Sequence, residues 1–92
     1  MNGEPWILIV DDEEVAVRNL TYALGKDGYR TVGVHSGGAA LAALEEQLFD
    51  VVLTDLRMEK IDGMQVLKRT HELYPETPVI VITGYATVSS AV

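Results

Sequence analysis

Carboxylates and hydroxyls stand directly behind three short apolar runs of this chain. Ile7 to Val10 runs into Asp11 and Asp12, Val51 to Leu53 leads to Thr54 and Asp55, and Val79 to Ile82 ends at Thr83. If the runs are parallel strands, these oxygens collect along one edge of a sheet. Three carboxylates gathered there would repel one another and raise at least one pKa unless a cation neutralised them. A hard divalent ion suits the donors: Mg²⁺ favours oxygen ligands in an octahedron, keeps several waters and pairs one or two carboxylates with phosphate oxygens. Beside such an ion Asp55 could act as a nucleophile toward a phosphoryl group, giving an acyl phosphate. The Thr83 hydroxyl could then help neutralise the equatorial oxygens. Singly, each residue has a plainer reading: Asp11 and Asp12 as acids at a helix N-terminus, Asp55 and Thr83 as turn or cap residues. Only their joint placement separates the two readings.

The elements that must position them follow from periodicity. Trp6 to Val10 is continuously apolar, the pattern of a strand buried on both faces of a parallel sheet. Residues 13–26 repeat Val15, Val17, Leu20, Ala23 and Leu24 near helical spacing, with acids in the first turn and Gly28 beyond the end. A second strand is expected over 29–34, and a second helix over 39–47 after the Ser36-Gly37-Gly38 cluster. A third strand should span 49–54, a loop 55–63 and a third helix 64–74. Pro75 and Pro78 then break the chain before a fourth strand, Val79–Ile82, and residues 86–92 could begin a further helix. Alternating strands and helices imply a doubly wound α/β sheet, with ligands beyond the carboxyl ends of the strands where strand order reverses.

Composition narrows the function classes. Ninety-two residues hold at most one domain, and 48% hydrophobic content supports a packed core. A formal charge of −7 disfavours direct nucleic-acid binding, which draws its affinity from Lys and Arg releasing counterions. Without cysteine there is neither a disulfide framework nor a thiolate metal site. The first apolar run is cut off by Asp11 and has no basic flank, so neither a signal peptide nor a membrane span is expected, and the location expected is cytoplasmic. His35 and His71 have no partner at ligand spacing, and Gly37 and Gly38 do not make a dinucleotide fingerprint.

Three strings together resemble a response-regulator receiver domain of two-component signalling: Ile9-Val10-Asp11-Asp12-Glu13; Thr54-Asp55-Leu56-Arg57-Met58 followed by Asp62-Gly63-Met64; and Val81-Ile82-Thr83-Gly84-Tyr85-Ala86. The resemblance covers essentially the whole chain, 1–92, as a single domain. It implies a flavodoxin-like fold with the strands ordered 2-1-3-4, which is the family's 2-1-3-4-5 order without its last strand. It further implies that Asp55 is the phosphoacceptor and that Asp11, Asp12, Asp55 and the backbone carbonyl of Arg57 hold Mg²⁺. Thr83 would be the switch hydroxyl. The implied donor is a histidine kinase or phosphotransfer protein. The implied role is a phosphoacceptor signalling domain rather than an enzyme, controlling an output such as transcription. Tyr85, beside the switch position, is a candidate partner contact. The string over 83–88 is similar to receivers of nitrogen-regulation-type activators and of hybrid kinases.

Two departures from the family pattern stand out. Glu59-Lys60 occupies the place where the family commonly has Pro-Gly, which should alter loop stiffness more than chemistry. The family's fifth strand, with its catalytic lysine and switch aromatic, and its fifth helix would lie beyond Val92, and neither Lys60 nor Lys68 takes the lysine's place. The expected consequences are an exposed apolar edge over 79–82 open to a second copy, and Mg²⁺ binding with impaired phosphoryl transfer. The rival reading is a phosphorylation-independent interaction module that keeps the fold but not the switch. A Mg²⁺-dependent phosphohydrolase would need a second acid two residues after the nucleophile, where this chain has Arg57.

Overall fold

The computed structural model describes residues 3–82, so the expectations for Thr83, Tyr85 and a helix over 86–92 fall outside the described residues. The elements follow one another as β1(Trp6–Val10), α1(Glu14–Lys26), β2(Arg30–Val34), α2(Gly37–Glu46), β3(Val51–Asp55), α3(Gly63–Leu73) and β4(Val79–Ile82). All neighbouring strands pair in parallel, in the order β2-β1-β3-β4. This is the flavodoxin-like arrangement expected from the sequence.

The apolar run of β1 is continuous because the strand lies between two layers. Ile7 and Ile9 join Val17 of α1 on one side, while Leu8 and Val10 join Ala40, Leu44, Phe49, Val52 and Val66 on the side of α2 and α3. Side chains alternate faces along a strand, so both sets must be apolar. Burying a side chain such as Leu8 contributes roughly 1.5–3 kcal/mol. The second layer is tied by Tyr74, whose hydroxyl donates to the Leu44 carbonyl at 2.7 Å, and by Arg69 of α3 pairing with Glu45 of α2.

Among the boundaries that differ from the periodicity, three element starts do so for a clear local reason. Helix α2 starts at Gly37 rather than residue 39 because Ser36 caps it: its Oγ accepts the Ala39 N–H at 3.0 Å and draws both glycines into the first turn. Strand β3 starts at Val51 rather than residue 49. The Trp6 N–H donates to Asp50 Oδ2 at 2.7 Å and the Asp50 N–H to the Trp6 carbonyl at 2.8 Å, while Phe49 is buried in the core from outside the strand. Helix α3 gains Gly63 through a reciprocal cap in which Asp62 accepts the Gln65 N–H and the Gln65 side chain accepts the Asp62 N–H, both at 3.0 Å.

Candidate functional site

Strand order reverses at β1, with β2 on one side and β3 and β4 on the other. That reversal opens a crevice beyond the carboxyl ends of β1 and β3. Register brings the acids there: Val10 lies opposite Thr54, so Asp11 and Asp12 leave β1 level with Asp55 at the end of β3. Asp11, Asp12 and Asp55 each present an oxygen within 4.8 Å of the others, with Asp11 and Asp55 half-buried and Asp12 exposed. Opposite oxygens of an octahedral Mg²⁺ site are about 4.2 Å apart at the usual Mg–O length. The spread of the three carboxylates, bounded by 4.8 Å, is close to that span, and their hard oxygen chemistry suits an ion that also keeps waters.

Asp11 does not act as the helix cap. Its Oδ1 accepts the Glu13 N–H at 2.9 Å, a turn immediately before α1, and Glu13 at the cap position makes no side-chain capping bond. That hydrogen bond fixes the Asp11 carboxylate while leaving its other oxygen for a ligand.

The Asp55 carboxyl is held above its ordinary value of 3.8, and burial is the largest cause. The Asp11 charge pushes the same way, as does Asp12 to a smaller extent, while the peptide N–H groups of Leu56 and Arg57 oppose the rise. Repulsion among the acids thus contributes as the spacing implied, with desolvation the largest single cause.

Beyond Asp55 the chain makes a tight loop with features that spacing alone did not signal. A side chain on Gly63 would collide with the Asp55 carbonyl oxygen, and the Gly63 N–H donates to the Leu56 carbonyl at 2.9 Å, closing the loop on its own start. Lys60 has a φ of 66°, and the Ile61 N–H donates to the Glu59 carbonyl at 2.7 Å around it, a three-residue γ-turn. The signal for the first feature was the Asp62-Gly63 pair at a helix start. The second was signalled only by Glu59-Lys60 standing at a turn. Arg57 lies in the first part of this loop with its side chain exposed. Thr83 follows Ile82, the register partner of Asp55, and with Tyr85 lies outside the described residues.

Residues 7–92 match the family model of the response regulator receiver domain. Among curated proteins, the regulatory protein AtoC of Escherichia coli is 42% identical over 86 residues, covering 94% of this chain and 19% of AtoC. The transcriptional regulatory protein ZraR of Escherichia coli is 41% identical over 86 residues, covering 94% of this chain and 20% of ZraR. The chain therefore spans about a fifth of the length of these relatives. Among solved structures, the response regulator TrrA of Thermotoga maritima, in complex with Mg²⁺ and BeF, superposes with a TM-score of 0.83 at 28% identity, covering 94% of this chain and 75% of that one.

Proposed function

Since this chain belongs to the response regulator receiver family, we propose that Asp55 accepts a phosphoryl group from the phosphohistidine of a histidine kinase or phosphotransfer protein. Mg²⁺ would be held by Asp11, Asp12, Asp55 and the backbone carbonyl of Arg57. The observation that carries the reading is the meeting of three carboxylates within 4.8 Å at the point where strand order reverses. The Mg²⁺ and BeF bound to the similar TrrA support it.

The chemistry follows from the groups present. An Asp55 oxygen attacks phosphorus, a P–O bond forms, the P–N bond of the donor breaks, and the departing imidazole nitrogen keeps the electron pair and takes up a proton. When bound, Mg²⁺ supplies positive charge to the phosphoryl oxygens. Asp11, besides offering an oxygen to the ion, is steadied by the Glu13 N–H that donates to its Oδ1. Loop closure at Gly63 keeps Asp55 and the following peptide fixed at the end of β3. In this reading Thr83 is the switch hydroxyl, Tyr85 contacts a partner, and residues 1–92 form a single receiver domain.

The output would be transcriptional control exerted by other parts of a longer protein, as the names of AtoC and ZraR suggest. With a charge of −7, this domain leaves DNA contact to those parts. No helix among the described residues is long and apolar enough to cross a membrane, and a cytoplasmic place suits a kinase-fed domain. Strand β4 exposes Ile80 and Ile82, and we assign it to pairing with a second copy.

Intact mass after treatment with acetyl phosphate and Mg²⁺ tests the reading. The chain should gain the mass of one phosphoryl group and Asp55→Asn none. An unchanged mass for both would instead favour the phosphorylation-independent interaction module.

A further inference from the structure

Two glycines from different elements press on the loop between Asp55 and α3. Gly63 seats it against the Asp55 carbonyl. The second contact comes from the first turn of α2. A Cβ on Gly37 would collide with the Ile61 carbonyl oxygen and lie 2.6 Å from Ile61 Cγ2 and 2.7 Å from Ile61 Cβ. Both the backbone and the side chain of Ile61 therefore occupy the space that any other residue at 37 would need. Gly37 is itself buried, and Ser36 fixes its place by capping the helix.

Ile61 is also the residue whose N–H closes the γ-turn around Lys60. A non-glycine residue at positive φ is strained and persists only where surrounding structure over-determines it. The Ile61 seat on α2 is such a constraint, and it lies on the same loop as Arg57.

We propose that Gly37 is a positioning residue for the loop from Leu56 to Asp62: by admitting Ile61 against the first turn of α2, it holds the turn at Lys60 and, through it, the Arg57 backbone that borders the acidic site. The proposal deepens the metal-site reading, and its first readout does not depend on that reading. Substitutions that disturb residues supporting metal ligands commonly weaken metal affinity by about 10–100-fold.

The test uses the isotope-labelled 92-residue chain in solution. Gly37→Ala should shift the amide resonances of residues 56–62 and speed hydrogen exchange at the Gly63 N–H in metal-free protein. It should also weaken Mg²⁺ binding to the folded chain by about tenfold, the lower end of that range. Gly33→Ala is the control, because its Cβ would collide with the Val17 side chain under α1. It should lower stability while leaving the loop resonances and Mg²⁺ affinity as in the wild type. Ile61→Ala, which keeps Gly37 and removes Cγ2 from the contact while leaving Cβ and the backbone, should shift the same loop amides to a smaller degree and decides the matter if Gly37→Ala does not fold. Wild-type loop resonances in the folded variants would overturn the proposal. A wild-type chain that binds no Mg²⁺ would instead sink the metal-site reading, with the amide readout still deciding the role of Gly37.

Discussion

At Asp55, burial and the Asp11 charge both act against the ionised carboxylate, so folding the metal-free chain works against that charge once the proton has left. Below the ordinary carboxylate value of 3.8, folded and unfolded chains are both protonated there and the effect vanishes. Between that value and the raised folded one the native state holds more protons, so stability falls as pH rises through the window and stays lowered above it. Asp55→Asn removes the charge. In Mg²⁺-free buffer at neutral pH the variant should melt at a higher temperature than the wild type, and calorimetry should find the gap closing as the solution is acidified below the carboxylate range. Added Mg²⁺ should raise the melting temperature of the wild type more than that of the variant, because an ion that binds only the folded state stabilises it more the tighter it binds.

The helices and strands show what patterning carries and what it omits. The run Trp6–Val10 was readable because a strand covered by helices on both faces has no polar face to interrupt it, and Val79–Ile82 carries the same apolar pattern although Ile80 and Ile82 are exposed. The acids following β1 and β3 were readable as a set once parallel pairing was inferred. Helix starts were harder, since capping side chains rather than apolar spacing set them, as at Ser36 and Asp62. The Ile61 seat on Gly37 had no signal in spacing, because it joins elements distant in sequence through the absence of a side chain. Asp62 offers a direct measure of capping. Asp62→Ala removes the acceptor of the Gln65 N–H and leaves of the pair only the bond from the residue-62 N–H to the Gln65 side chain. It should cost about 1 kcal/mol, read in calorimetry as a melting point lower by roughly 4–8 °C.

At the scale of the molecule, the described residues cover the two faces of the sheet unequally. Helices α2 and α3 pack on one, α1 on the other, and β4 turns Ile80, 52% exposed, and Ile82, 39% exposed, to solvent. Among the described residues no strand lies beyond β4. Two copies meeting there would bring together chains that each carry a charge of −7, so salt should strengthen the association by screening their repulsion. Light scattering should show a larger average mass at about 0.5 M than at about 0.05 M salt, values spanning Debye lengths of about 4 and 14 Å. Ile80→Lys should remain monomeric in both. The pairing of Val10 with Thr54 has a different consequence. Because faces alternate with every residue, losing one residue within β3 would swing its inward side chains outward and pull Asp55 out of step with Asp11. Substitution within the strands can thus be wide so long as size and polarity hold, whereas descendants of this chain that gain or lose a codon between Val51 and Asp55 would be purged, confining length variation to the turns at the amino ends of the strands.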